Sequence, residues 1–184
     1  MDKFSKYNYS GHVYFVTTKA FHNRLLKKCC EGLIDDVVYY RRVLGCKVFG
    51  YVILPDHLHL LIGWDVEEQK GLIVSEIIQF IKSHSAKEIA YYLKTGRRKP
   101  SQSNDYQWVD KENVHTPVTN RIWQPSFYDF NVYLSEKFEQ KLNYIHCNLV
   151  RVGLAISPKD YQYFSARNYL VGDHSVFTID RIEL

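Results

Sequence analysis

The sequence lacks the features of membrane-spanning, secreted and repeat-containing proteins. No apolar run reaches the length needed to cross a bilayer, and the N-terminal residues contain no apolar signal core. The 4 cysteines form no C-x-x-C pair and follow no regular spacing, which favours reduced thiols over a disulfide framework. No internal repeat is present. We therefore expect a cytoplasmic protein that has no membrane partner.

The sequence also carries little net charge. Its 24 Lys and Arg residues outnumber its 20 Asp and Glu residues only slightly, for a net charge of +4. That balance permits a nucleic-acid partner without requiring one, and it favours a local basic patch over tight non-specific binding. The 184 residues, of which 46% are hydrophobic, predict a single domain that spans residues 1–184 around a packed core.

Hydrophobic periodicity divides this domain into strands and helices. The predicted strands cover residues 12–18, 47–54, 57–64 and 122–132, the last interrupted by Pro125. The predicted helices cover residues 25–44, 73–93 and 135–150, with Ser135 as the N-cap of the third. Two segments lack such periodicity and predict a loop-rich insertion at 95–121 and a C-terminal tail at 158–184. The order predicts an α+β, ferredoxin-like (RRM-like) antiparallel sheet with helices on one face, plus an extra C-terminal helix.

Two histidines, one residue apart, lie in the third predicted strand. Alternation along a strand sends His57 and His59 to one face, while Leu58 and Leu60 point to the other face and into a core. Two neutral imidazoles on a rigid strand form half of a divalent-metal site. An H-x-H pair also occurs often by chance, so this interpretation needs a third ligand and a reacting group.

The third predicted helix offers both. Tyr144 and Asn148 are about one turn apart, on a face roughly a quarter-turn from the apolar stripe of this helix. From that margin Tyr144 would supply a phenol oxygen as nucleophile, and Asn148 a carbonyl oxygen as third metal ligand. Each residue alone also has an ordinary interpretation, as an amphipathic tyrosine or a helix-end amide. Only their combination with the histidine pair favours a site.

These residue types suit the transfer of a phosphodiester. Attack by tyrosine yields a phosphotyrosine ester and a free 3′-hydroxyl, so the bond energy is retained for rejoining. A divalent metal would polarise the scissile phosphate and offset the charge of the transition state. Mg²⁺ prefers oxygen ligands and Mn²⁺ tolerates imidazole well, so both metals are candidate cofactors.

Several blocks of the sequence resemble the HUH (His-hydrophobic-His) single-tyrosine transposases, above all their REP-associated branch. The blocks are Leu-Pro-Asp-His-Leu-His at 54–59, Trp-Gln-Pro-Ser-Phe-Tyr-Asp at 123–129, and the segments 142–154 and 161–169. They follow one another in the order of that family and together span most of the chain. The resemblance implies a metal-dependent enzyme that nicks single-stranded DNA and transfers strands through a 5′-phosphotyrosine intermediate, on hairpin-containing DNA.

The same resemblance implies roles for individual residues. Tyr144 would be the catalytic nucleophile, and His57 and His59 would bind the metal with Asn148 as a third ligand. Lys82 falls in a block that resembles the DNA-facing helix of the family. The chain departs from the family in one place, where Leu149 replaces the proline of an Asn-Pro-Val block. That change would let the helix run further and shift Asn148.

Basic and aromatic side chains are the candidate DNA contacts, because single-stranded and hairpin DNA binds basic grooves and aromatic stacking surfaces. Besides Lys82, the candidate phosphate contacts are Arg97, Arg98, Lys99, Arg121, Arg151 and Arg167. The aromatic residues that would either stack on bases or pack the tail are Tyr161, Tyr163, Phe164 and Tyr169.

Two other functions and two assemblies stay open. A domesticated relative would bind hairpin DNA without catalysis, although the intact His57, His59 and Tyr144 argue against it. An H-x-H metallohydrolase would attack with water and use Tyr144 only structurally. Resemblance to the insertion-sequence relatives implies a homodimer with swapped tyrosine helices, whereas resemblance to the REP-associated branch implies a monomer.

Overall fold

The protein folds around one four-stranded sheet. The computed structural model describes residues 13–21, 29–65, 68–97, 121–157 and 160–181. Within these ranges the elements are β1 (Val13–Lys19), α1 (Cys30–Val43), β2 (Lys47–Ile53), β3 (His57–Gly63), α2 (Val74–Thr95), β4 (Tyr128–Val132), α3 (Ser135–Arg151) and α4 (Ala166–Leu170). The sheet has the order β2-β3-β1-β4, and all its pairs are antiparallel. The predicted ferredoxin-like α+β fold is confirmed.

Both faces of the sheet are apolar, and each is covered by helices. On one face, which we call the α1/α2 face, α1 and α2 pack over residues that include Leu58 and Leu60. On the other, the α3 face, α3 packs through Phe138, Ile145 and Leu149. The extra C-terminal helix therefore covers the face that α1 and α2 leave open. Among the described residues, no helix combines the length and apolar character needed to cross a bilayer.

The α3 end of the chain differs from the prediction in two details. Leu134, rather than Ser135, is the N-cap residue of α3, and no side chain caps this end. Ser135 is instead the first helical residue, a shift of one position that is common at helix ends. At the other end α3 continues to Arg151, one residue beyond the predicted end at residue 150.

The last strand is shorter than predicted. β4 begins at Tyr128, because Pro125 has no N–H to give to a ladder and breaks the run before it. The preceding residues make only an isolated bridge, between Trp123 and Ala20 at the end of β1. A lysine on α2 supports this irregular segment: the Nζ of Lys82 donates to the carbonyl of Gln124 at 2.6 Å.

Other predicted boundaries fall partly outside the described residues. The predicted start of the first helix at residue 25 lies there, but the prediction is wrong at Cys29, which is the N-cap of a helix that begins at Cys30. Residues 98–120 of the predicted insertion also lie outside the described residues. The first insertion residue, Thr95, is helical, and Gly96 ends α2 with a φ of 68°. All 4 cysteines are free thiols, and Cys147 is the exposed one.

The chain that follows α3 pairs with the outer edge of β2. The Ser165 N–H donates to the Tyr51 carbonyl at 3.0 Å, and the Ile53 N–H donates to the Tyr163 carbonyl at 3.2 Å. The short helix α4 follows directly. The tail predicted as loop-rich is therefore, over its described residues, a packed part of the sheet edge.

A glycine in β2 lets α3 approach the sheet closely. A Cβ atom at Gly50 would lie 2.9 Å from Cδ1 of Leu142 and 3.5 Å from Cδ1 of Ile145. The first distance is shorter than non-bonded carbon atoms tolerate, so a side chain here would displace Leu142. The β2–β3 register also shifts between Val48 and Gly50, which is typical of a bulge. The fit at Gly50 sets how closely the helix that carries Tyr144 packs on β2.

Candidate active site

The register of β3 against β1 places both histidines on the α3 face. His59 lies opposite Thr17 in the ladder, and His57 lies opposite Lys19. The two imidazole rings are 4.7 Å apart between centroids, at an interplanar angle of 81°. Leu58 lies in the core of the opposite face. The alternation along β3 therefore follows the sequence prediction.

Each histidine is held through its Nδ1 atom. His57 Nδ1 donates to the Asp56 carboxylate at 2.6 Å, and His59 Nδ1 lies 2.8 Å from the Thr17 hydroxyl. The tautomer that donates from Nδ1 leaves the Nε2 lone pair of each ring available as a metal ligand. Partners of this kind fix the orientation of metal-binding imidazoles. Asp56 and Thr17 thus have the positions expected of such partners.

Asn148 meets His59 from α3. Its Nδ2 atom lies 3.1 Å from His59 Nε2, and the side chain is buried. Its Oδ1 atom is also buried and has no hydrogen-bond partner among the described residues. Rotation of the amide exchanges its two polar atoms, and would turn Oδ1 toward His59 Nε2. A metal ion between Asn148 Oδ1 and His59 Nε2 would give both of these atoms a partner, so the residues present fit a divalent cation.

The protonation of His59 suits a ligand. Burial, with smaller effects from the charges of His57, Lys19 and Lys141, lowers the pKa of His59 from 6.5 to about 3. The ring is therefore neutral at physiological pH, and its lone pair is not taken by a proton.

Tyr144 lies beside this group. Its ring centroid is 5.4 Å from that of His59 and 5.6 Å from that of Phe15, in an edge-on contact. Phe15 in turn stacks on His59 at 5.4 Å. Tyr144 is 39% exposed, so a substrate can reach it from solvent. The structure thus brings His57, His59, Asn148 and Tyr144 together within one chain.

One cation contacts the Tyr144 ring, and a second lies over the neighbouring Phe15 ring. The Arg151 guanidinium carbon lies 5.5 Å from the Tyr144 ring centroid, a more specific position than the general phosphate contact that the sequence predicts. Lys141 is not among the residues predicted from the sequence, and its Nζ lies 4.8 Å from the Phe15 ring and 4.5 Å from the Phe130 ring. Burial lowers the pKa of Lys141. Its spacing of three residues before Tyr144 on the same helix was the available signal.

The other predicted phosphate contacts are dispersed. Lys82 Nζ donates to the carbonyls of Gln124, Pro125 and Ser126, and Arg167 pairs with Asp173. Arg97 and Arg121 are exposed on the two sides of the segment 98–120. Arg98 and Lys99 lie outside the described residues.

The aromatic residues of the tail pack against the protein. Phe164 is fully buried and bridges to Val52 at the edge of β2. The phenol of Tyr161 donates to the Ile53 carbonyl at 2.8 Å, and that of Tyr169 donates to the Phe49 carbonyl at 2.7 Å. Of the two alternatives left open by the sequence, these contacts favour packing over base stacking.

Comparisons with known proteins agree with the motif resemblance. A curated relative, the REP-associated tyrosine transposase of Escherichia coli (strain K12), is 19% identical over 165 residues, which cover 89% of this chain and 81% of the relative. The solved structure of a REP-associated tyrosine transposase bound to a REP hairpin matches with a TM-score of 0.68 at 16% identity, covering 100% of this chain and 94% of that one. No protein-family model matches the chain. The chain therefore resembles REP-associated tyrosine transposases in sequence and shares their fold.

Proposed function

We propose that this chain nicks single-stranded DNA at hairpins and transfers the strand through a 5′-phosphotyrosine intermediate, with a divalent metal as cofactor. The observation that carries the proposal is the contact of the partly exposed Tyr144 ring with His59, whose Nε2 atom also faces Asn148. A nucleophile beside two or three metal ligands can attack a phosphate that the metal holds. The similarity to a transposase solved with a REP hairpin supports hairpin DNA as the substrate class.

The nicking step exchanges one ester bond for another. The Tyr144 phenol loses its proton, and its oxygen forms a bond to the scissile phosphorus. The bond from phosphorus to the 3′-oxygen breaks, and this oxygen takes up a proton to become a free hydroxyl. The 5′ end stays attached to Tyr144. Attack by a 3′-hydroxyl on this ester reverses both bond changes and joins the strand.

We assign His57, His59 and Asn148 as the ligands of Mg²⁺ or Mn²⁺. When bound, such an ion supplies Lewis-acid polarisation of the phosphate oxygens. The contribution of the chain is to hold its donors in place beforehand, since Asp56 and Thr17 orient the two rings. Fixed donors reduce the reorganisation needed in the transition state.

Cationic side chains complete the proposed phosphate site. Lys141 and Arg151 flank Tyr144 on α3, where they would offset negative charge on the attacked phosphate. Arg97, Arg98 and Arg121 remain candidates for contacts to the hairpin backbone. Because one chain supplies Tyr144 together with both histidines, we infer that a monomer completes the nicking step, and a swapped homodimer is not required.

A covalent-capture assay tests the proposal. A DNA hairpin with randomised single-stranded flanks, labelled at its 3′ end, is incubated with the protein and Mn²⁺ or Mg²⁺ and analysed on a denaturing gel. We expect a labelled protein–DNA adduct that chelator abolishes. Tyr144→Phe should remove the adduct, whereas the control Tyr133→Phe, which alters another exposed tyrosine near the start of α3, should retain it.

The assay also separates the two alternatives. Cleavage that persists in Tyr144→Phe would indicate attack by water and overturn the proposal in favour of a metallohydrolase. Retention of the hairpin in a native gel, with no cleavage by the wild-type protein in either metal, would overturn it in favour of a binding protein without catalysis.

A further inference from the structure

A second group of metal-ligating side chains lies between α1 and α2, across the sheet from His57. One nitrogen of His84 and one carboxylate oxygen each of Asp36 and Glu88 lie within 4.8 Å of one another. Asp36 projects from α1, whereas His84 and Glu88 are one turn apart on α2. Two helices therefore bring three potential ligands to one point.

Asp36 is a costly residue for this interior. Its side chain is completely buried, and its Oδ1 atom accepts a hydrogen bond from His84 Nδ1 at 2.5 Å. Its Oδ2 atom is buried and has no hydrogen-bond partner among the described residues. Burial raises the pKa of Asp36 to about 6, against the hydrogen bond and charge of His84, and the charge of Glu88 raises it further. An unsatisfied buried carboxylate oxygen is unfavourable, and a cation is what would satisfy it.

We propose that Asp36, His84 and Glu88 bind a divalent first-row transition metal of the Zn²⁺ class. One imidazole and two carboxylates suit such an ion, whereas Mg²⁺ and Ca²⁺ prefer ligand sets made of oxygen alone. The ion would replace the proton that His84 and Asp36 share, so its binding releases protons. Because the ligands come from both helices, the bound ion ties α1 to α2.

The proposed site is connected through α2 to the segment that precedes β4. Ser85, the neighbour of His84, accepts a hydrogen bond from the indole of Trp123 at 2.9 Å. α2 thereby holds the segment that leads into β4, and a metal between α1 and α2 would stabilise this attachment. The proposed site is independent of the proposed nicking activity, because it shares no residue with it.

A titration with Co²⁺, a coloured probe for Zn²⁺ sites, tests the proposal. The background is His57→Ala, which weakens the proposed catalytic metal site, and binding is followed by visible d–d absorption and by calorimetry. We expect one equivalent of Co²⁺ to bind, Zn²⁺ to displace it, and the melting temperature to rise with metal. Adding Glu88→Gln should weaken binding by at least about 100-fold, since loss of even an outer partner costs 10–100-fold. The matched control is Glu76→Gln, near the start of the same helix, which should leave binding unchanged.

Three results would overturn the proposal. They are no Co²⁺ binding in the His57→Ala background, binding that Glu88→Gln leaves intact, and equal weakening by Glu76→Gln. If His57→Ala does not fold, sites are counted on the wild-type chain, where Glu88→Gln should remove one equivalent and leave DNA nicking measurable. If the wild-type chain binds metal between α1 and α2 but does not nick DNA, the result would count against the proposed function alone.

Discussion

The two faces of the sheet are closed to different degrees. On the α1/α2 face, two helices and the C-terminal residues Phe177 and Ile179 bury a continuous apolar core. On the α3 face, α3 leaves Tyr144 exposed at its margin. The faces meet in β3, whose leucines point into the first and whose two histidines point to the second. The core of the α1/α2 face fixes the strand, and this rigidity would hold the proposed metal ligands on the α3 face in place.

Substitutions at neighbouring positions of β3 should separate the two faces most clearly. Leu60→Ala removes buried apolar volume, and we expect it to lower the free energy of unfolding by about 2–5 kcal/mol. His57→Ala should change stability little but reduce adduct formation about 100-fold or more. Urea unfolding and single-turnover nicking measure the two effects. Equal losses of stability in both variants would contradict this division.

Lowering the pH should change the free energy of unfolding in opposite directions through a histidine on α3 and an aspartate on α1. Burial lowers the pKa of His146 on α3 from 6.5 to about 4, so the unfolded chain binds a proton more readily than the folded one. The associated stability is complete above pH 6.5 and is lost as the pH falls toward 4, by roughly 3 kcal/mol. Asp36 on the other face has the opposite sign, since its raised pKa of about 6 weakens the fold as the pH rises. Urea unfolding from pH 4 to 7 should show a shallower acid loss in His146→Gln, and an unchanged profile would refute the assignment.

The packing of α3 on β2 can be disturbed without touching the site. Gly50→Ala places a methyl group 2.9 Å from Leu142 Cδ1, and we expect a loss of about 1–3 kcal/mol in unfolding free energy. Nicking should fall as well, because α3 carries Tyr144. The second substitution Leu142→Val should recover part of both losses in a double-mutant cycle. Simple additivity of the two changes would show that the contact is unimportant.

The smallest expected effect concerns Lys141 on the α3 face. Lys141→Gln should slow adduct formation roughly 10-fold by removing positive charge near the phosphate, while stability stays nearly constant. Lys141→Arg should restore most of the rate, because it keeps the charge over Phe15 and Phe130. Lys137→Gln, one turn earlier on α3, serves as control. A loss shared equally by both glutamine variants would indicate a general charge effect.

Local periodicity predicts the fold, which is confirmed, and the positions of four proposed site residues, whose roles stay predictions. Alternation with a period of two assigns His57 and His59 to one face, and helical spacing pairs Tyr144 with Asn148. Both patterns depend only on neighbours in sequence, and the order of elements then limits the topology. The same local logic failed for Ser135, because the end of a helix is set by tertiary context to within a residue or two.

Residues that depend on distant packing were not predictable in this way. Lys141 makes its ring contacts only because β1 and β4 bring Phe15 and Phe130 under α3. From the sequence, Asp36 is expected to be an acidic residue on a helix surface. Only the packing of α2 against α1 buries it. The sequence does carry a signal there, since His84 follows Ile77 by seven residues and Ile81 by three, so it shares their apolar face of the helix. A polar side chain on such a face needs a partner.

The pairing along β2 has a consequence for how the molecules behave in crowded solution. An exposed strand edge recruits strands from neighbouring molecules, yet the Val48 N–H donates to the Asp180 carboxylate at 2.7 Å and its carbonyl accepts from the Asp180 N–H at 2.8 Å. Together with the bonds to Tyr163 and Ser165, this contact occupies the outward groups of the strand. The segment after α3 therefore protects the β2 edge from pairing with other molecules. A chain truncated before residue 160 would retain Tyr144 but expose this edge and become prone to aggregation.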